Sequence, residues 1–528
     1  MSRPEGSGPE AQPGLALTAL ALGYLALPLV LFVVGWLRLS VALPLLALMA
    51  ATGWSLRDEL ARRVPLRKRQ AIVFGIVAVL WVALSGVSGL GHRNPDWAKH
   101  DSVLKGIVEQ SWPVVYDMTA PGIEGHRHGL VFYLAYYLPA GAIGKLLGWQ
   151  AALMALALWT AAGIWLVLSA FSRLLGGSQF ERERAGEGPV AAPGRTAALA
   201  TCLFVFASGL DAAGSWIRNG HGFAITDHLE WWAGMWQYSS NTTLLFWVPH
   251  QALAGWLATA LLLDGLDREG GSRAAPVVVA ATLLWSPFVA LGCLPMASLG
   301  VLRSRRDALR FWPNWSTVPA IGLLLVFYYS ALQRERLPAA LDARFIFGAG
   351  AGLFALFVVL EFGALWWLVR PERSGTASPW IWGAVGGALL VLPFFRLGYY
   401  NDFVMRTSIP ALFALWVFTG RALLDRARGA FSRAALLVLL AGGAITPVTE
   451  MARALHGWRL VPPTLAATRD LPLAHANAEL ARQYLAPLDA FFFRYAARRS
   501  GDFPAVDRPE GTELRGATGS PERAPGPR

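Results

Sequence analysis

Apolar runs separated by short polar breaks fill most of this chain, near residues 15–37, 40–54, 71–90, 129–147, 150–172, 196–210, 243–263, 275–302, 317–332, 347–369, 379–395, 408–424 and 434–448. A helix needs about twenty apolar residues to cross a bilayer, and most of these runs reach or approach that length. The pattern predicts an all-α polytopic membrane helix bundle over 15–448, with about 11–13 transmembrane helices. Residues 1–14 and 500–528 are rich in Gly, Pro, Glu and Arg with little to bury, so they read as disordered tails. Between them, 449–499 reads as a short polar C-terminal region broken at Pro462-Pro463. Within it, 479–499 is a candidate amphipathic helix carrying Leu485, Phe491, Phe492 and Phe493. The first apolar run follows a segment with no basic n-region and reads as a retained anchor, not a cleaved signal.

Composition narrows the class. With 55% hydrophobic and 15% charged residues, the chain is too apolar for a soluble protein of 528 residues. The net charge of +12 is spread through short loops, which suits positive-inside topology and argues against a nucleic-acid partner. Cys202 and Cys293 both fall inside apolar runs, so neither a disulfide framework nor a thiolate metal site is expected. The basic clusters Arg57–Arg69, Arg303–Arg310, Arg370–Arg373 and Arg421–Arg433 are assigned to the cytoplasm. Loops 91–128, 211–242 and 396–407 then face outward from a multi-pass plasma-membrane (inner-membrane) protein. That assignment requires 275–302 to form two short helices hinged near Pro287 to Pro295, where proline disrupts the helix. One conflict remains, because two apolar runs separate loop 91–128 from the basic loop Arg173–Arg195, where alternation needs one or three. Either 129–147 is re-entrant or interfacial, or the loop near Glu181 is misplaced.

The polar island in loop 91–128 reads GHRNPDWAKHDSVLKGIVEQSWPVVYDMTAPGIEGHRHG. Pro95 suits a first helical turn, Asn94 a cap, and Trp97, Val103, Leu104, Ile107 and Val108 recur at helical spacing. An amphipathic helix lying along the interface is therefore expected from Asp96 to Gln110. Asp96 and His100 share one face, and Lys99 lies on a neighbouring line. A carboxylate held in a partly dry setting just beyond the membrane can act as a base. The bland alternative is an interfacial helix whose charges merely face water.

Other polar groups stand out. His126 and His128, near Glu124 and Arg127, leave a divalent ion open, although polar contacts at the interface are the plainer reading. Otherwise no cofactor is called for. Loop 211–242 holds Asp211, Arg218, His221, Asp227, His228 and Glu230 among Trp216, Trp231, Trp232 and Trp236, which suits interfacial anchoring or sugar stacking. His250 lies near the outer mouth of its run, and Glu361 lies inside another, where an ionisable group is a functional candidate by default. Glu361 is expected to pair within the bundle or to approach the cytoplasmic edge. Arg406 at the outer end of its run offers a planar fork of donors to phosphate, unless it is engaged by Asp402 four residues earlier.

An acidic residue shortly after an early apolar run, then an amphipathic helix ending in PVVYD, resembles the first extracytoplasmic loop of the GT-C superfamily of polytopic glycosyltransferases. The following GLVFYLAYYLPAGAIGKLLGW is similar to that family's next, aromatic-rich segment, and MRTSIPALFALW resembles the segment in which an Arg precedes a Pro-containing helix. The resemblance implies a polyprenyl-phosphate-linked sugar donor, an acceptor of unknown kind and a site facing outside the cytoplasm. It implies Asp96 as base, with Asp101 second, and Arg406 as the contact to the donor phosphate. Around them Lys99, His100, His126, Arg127, His128, His250 and Asp402 are candidate substrate-binding residues. A single displacement would invert the anomeric centre, and no G-x-x-x-x-G-K nucleotide motif is present or needed. Two other classes stay open: a transporter or flippase for a lipid-linked or anionic substrate, and a non-enzymatic assembly factor.

Overall fold

A computed structural model describes residues 14–64, 66–117, 119, 125–184, 193–268, 273–332, 339–371, 378–397, 401–425, 427–474 and 483–499. Both expected tails, apart from Gly14, and Glu124 lie outside the described residues. The molecule is mainly helical, and six helices among the described residues are long and apolar enough to cross a membrane. They are Leu17–Trp36, Trp149–Gly177, Gly194–Asn219, Ala351–Leu368, Asp402–Leu424 and Ala430–His456. The remaining apolar runs are shorter or broken helices, so by length the expected 11–13 is reduced to six. The causes are local. Val248, at φ −137° and ψ 53°, and Pro249 split one run into Asn241–Trp247 and Pro249–Leu266. The run at 275–302 becomes Ala275–Thr282 and Pro287–Arg303, breaking just before Pro287, while Pro295 stays inside the second helix.

Run 129–147 is not a spanning helix. It begins in the strand Arg127–Leu130 and ends in the ten-residue helix Leu138–Leu147, about 15 Å long and too short to cross. A single long helix, Trp149–Arg184, then follows the island, which removes the parity conflict. The bundle is helical as expected, with two small sheets added to it. Strands Val115–Asp117, Arg127–Leu130 and Leu485–Pro487 pair antiparallel in that order, and Ala339–Leu341 pairs with Phe395–Leu397. Of the helix expected over 479–499, residues 479–482 lie outside the described residues; among those described, 483–487 are a turn and a strand, and Phe492–Ala496 is a helical turn. A segment that closes a sheet edge satisfies its backbone by pairing, and this outweighs its helical periodicity. Helix Ile445–His456 runs into the start of the polar C-terminal region.

The bundle has two chemically distinct ends. At one, Arg173 pairs with Asp264, Arg268 with Asp264 and Arg421 with Asp267. Arg273 meets Glu59 at 3.0 Å and Asn314 donates to the Arg273 carbonyl at 2.9 Å. Arg428 donates to the carbonyls of Leu368 and Arg370. The four basic clusters thus gather at this end. Helices Pro249–Leu266 and Asp402–Leu424 run from it to the opposite end, where His250 and Arg406 stand. Fifteen helical residues separate Arg406 from Arg421, about 22 Å.

Many large apolar side chains remain exposed on the outer helices, including Leu43, Ile76, Val79, Leu80, Phe431 and Val438, a surface that suits lipid. Inside, the rings of Trp36, Trp97, Trp256, Trp285 and Trp416 are fully buried. Lipid is as apolar as the core, so close packing holds such helices together. Gly292 is where this matters most: a Cβ there would collide with the Thr407 carbonyl, next to Arg406. Gly292→Val should therefore cost about 1–3 kcal/mol by overpacking, read as a lowered thermal unfolding midpoint in detergent.

Candidate functional site

The island helix forms over Asp96–Glu109, and the Asn94 side chain caps it by accepting from the Asp96 N–H at 3.0 Å. It does not lie with one face in water as expected. Trp97, His100, Asp101, Ser102, Val103, Leu104, Ile107 and Val108 are all buried, and the helix packs against Leu138–Leu147. Its docking point is the break before Pro249. A proline has no N–H, so carbonyls near the break lack their usual helical partners. Asn94 Nδ2 and Trp97 Nε1 both donate to the Phe246 carbonyl, at 2.8 and 3.2 Å. His100 Nε2 meets the Trp247 carbonyl at 3.2 Å, and its Nδ1 meets the Tyr137 hydroxyl. The carbonyl can only accept, so the proton sits on Nε2 and the Tyr137 O–H donates to Nδ1. Burial, reinforced by Lys99, pushes His100 down to about 3, consistent with this neutral form. Both ring nitrogens are thus taken up within the protein.

This docking brings residues from both halves of the chain together. Lys99 Nζ lies 3.3 Å from Asp96, and Arg406 pairs with Asp402 at 2.8 Å. The Arg406 guanidinium stands 5.9 Å from the Tyr133 ring centroid. Asp96 and Arg406 are close enough to shift one another: burial alone would raise the Asp96 carboxyl, but Lys99, His100 and Arg406 outweigh it and hold it below the usual carboxylate value. Lys99 is held above its usual value because Tyr484, Asp96 and Asp402 together outweigh burial. Beneath this group lies His250, its ring 5.3 Å from His100 and 5.9 Å from Tyr133. Both nitrogens of His250 and the Arg406 Nε are buried with no hydrogen-bond partner among the described residues. Such atoms are costly to leave unmet.

Other expected residues lie elsewhere. Asp101 points to Arg93 at 2.5 Å, and burial raises its carboxyl above the usual value despite that partner. His126 and Arg127 are exposed, while His128 is buried in the three-stranded sheet opposite Tyr116 and Pro487. Among the described residues no group of three His, Cys, Asp or Glu side chains is placed to hold a metal ion.

A second buried network was only partly foreseen. Glu361 sits in the π-helical turn Val359–Gly363, accepts from Trp232 Nε1 at 2.7 Å and meets the Asp211 carboxyl. Asp211 also accepts from Ser208 and Thr446, at 2.8 and 3.0 Å. Nearby, Glu230 accepts from Gln237 and from the Ser240 N–H, both at 2.9 Å, and His228 contacts Glu450 at 3.0 Å. Tyr484, whose hydroxyl contributes to the field around Lys99 and Arg406, was missed altogether. Its only sequence signal is one aromatic within the polar tail.

Compared with known proteins, the chain matches no family model, no curated sequence and no solved structure.

Burial, with Asp211 adding to it, pushes Glu230 up to about 7, although His228 opposes the shift. Between the unfolded value near 4.5 and about 7 the native state binds the extra proton, so this group's contribution to stability is lost as pH rises through that window. Glu230→Gln should therefore gain in melting temperature over the parent as pH goes from 5 to 8, measured by thermal unfolding at each pH.

Proposed function

We propose that the chain is a membrane glycosyltransferase that moves a sugar from a polyprenyl-phosphate donor to an acceptor outside the cytoplasm. The observation that carries this reading is that Asp96, paired with Lys99, and Arg406, paired with Asp402, come from opposite halves of the chain and lie near enough to feel one another's charge, beside unpartnered His250. Asp96 is the base: it is ionised at neutral pH and can take the acceptor's hydroxyl proton as the new glycosidic bond forms and the bond to the lipid phosphate breaks. Arg406 stabilises the charge that develops on the departing lipid phosphate. Its Nε is free to donate, and its pairing with Asp402 orients the fork. Lys99, 3.3 Å from Asp96 and within the field of Arg406, adds a second positive charge that favours both anionic groups. A single displacement with the base opposite the phosphate inverts the anomeric centre.

The two-ended bundle supports the membrane orientation. With the basic clusters held at the cytoplasmic face, the Asp96 and Arg406 end faces outward. The 11–13 crossings expected from the sequence are approached when the short or broken helices, such as Leu39–Ser55, Lys68–Leu84 and Thr317–Ser330, are counted with the six long ones. A transporter remains the second reading, favoured by the buried Asp211 and Glu361 pair at membrane depth.

The test uses purified protein in lipid nanodiscs with radiolabelled polyprenyl-phosphate sugars. Asp96→Asn should reduce turnover by about 10²- to 10⁴-fold and Arg406→Ala by about 10²- to 10³-fold, with insertion and melting unchanged. Full activity in both variants would reject the assignment, and movement of intact donor between leaflets without sugar release would favour the transporter. Removing the Lys99 charge leaves burial to raise Asp96, so the acid limb of kcat/KM in Lys99→Ala should move to higher pH. No limb near the ordinary imidazole value should come from His100.

A further inference from the structure

We infer that the cavity between the start of the island helix and the end of helix Ile445–His456 is the acceptor subsite, and that it takes the hydroxyl-bearing end of a saccharide. The inference rests on the glycosyltransferase reading above and adds the chemical class of the acceptor. The cavity holds about 310 Å³. That is the small end of the range for ligand sites, about 300–1,000 Å³, and gives room for a short saccharide but not for a protein surface.

Its walls carry the features that sugar recognition needs. Trp247 supplies an aromatic side for the C–H face of a ring, and Glu450, Arg453, His92 and His456 supply acceptors and donors for hydroxyl groups. Burial, with Arg453 adding to it, lowers His92, which favours the neutral imidazole. Three of these four groups can carry positive charge, which by itself would suit a phosphate. The Glu450 carboxylate on the same wall, already paired with Arg453, offsets that charge and favours a neutral ligand. The walls are also braced. The Trp247 carbonyl meets His100, its ring lies 5.1 Å from that of His228, and His228 holds Glu450. Position assigns the role, because Asn94 and Pro95 line the cavity and are followed directly by Asp96, whose carboxylate pairs with Lys99. A sugar seated there lies one residue along the chain from the proposed base.

The experiment is photolabelling of the full-length protein in nanodiscs with diazirine-bearing methyl mannoside and methyl glucoside, mapped by peptide mass spectrometry. In parallel, sugar release from labelled polyprenyl-phosphate donors is measured with and without the same unmodified glycosides. Labels on the peptides carrying Trp247 and residues 453–457, competed by excess methyl glycoside, are expected. Trp247→Ala and, as a milder surface variant, His456→Ala should lower that labelling about tenfold. Labels confined to other peptides, or unchanged in both variants, overturn the subsite. Labels at the cavity with no donor turnover in the parent protein leave a saccharide site but overturn its acceptor role together with the transferase reading. Competition by inorganic phosphate and not by glycosides overturns the assignment of ligand class.

Discussion

Everything at the Asp96 end of the bundle depends on two backbone carbonyls, those of Phe246 and Trp247, left without helical partners where the chain breaks before Pro249. Asn94, Trp97 and His100 converge on them, and three hydrogen bonds fix the position of a helix that has little other reason to sit against that break. The orientation of Asp96 and Lys99 follows, since both lie on the same short helix. So does the shape of the neighbouring cavity, whose wall is Trp247 itself. Unsatisfied backbone in an apolar bundle is expensive, so the break and the helix that covers it stabilise each other.

The charges obey a similar rule at two scales. Locally, several buried ionisable groups have a partner that answers their burial: Lys99 beside Asp96, Arg406 beside Asp402, His228 beside Glu450, Asp211 against Glu361. Across the molecule, the arginines of the loops collect at one end and the mixed acid–base group at the other. Long helices such as Asp402–Leu424 carry one member of each set, Arg406 and Arg421, and thereby fix the distance between the ends.

Much of this was legible in the sequence, and the parts that were not share a cause. The membrane class, the helix at Asp96, its Asn94 cap and the break at Pro287 follow from local composition and from residues whose stereochemistry acts within a turn or two. The sheet formed with Leu485–Pro487 could not be read, because strand pairing across more than three hundred residues leaves no periodic mark on either partner. Helical spacing that included Leu485 pointed the wrong way for that reason, whereas Phe492 and Phe493 do fall in a helical turn. Burial of the island helix on nearly every side was also hidden, since amphipathic spacing shows which face is apolar but not how many neighbours will cover the rest. The coming together of Asp96 and Arg406 follows from the packing of helices far apart in sequence; the sequence supplied the two residue types, and the fold supplied their proximity.

The strand Leu485–Pro487 lies beside Arg127–Leu130 and brings Tyr484 to the group around Lys99 and Arg406. During synthesis, then, the first polar loop leaves the ribosome long before the segment that finishes its sheet. A nascent chain whose first helices have formed still lacks this stitch until residues 485–487 have been made, so the group around Lys99 and Arg406 is completed long after the helix that carries Asp96.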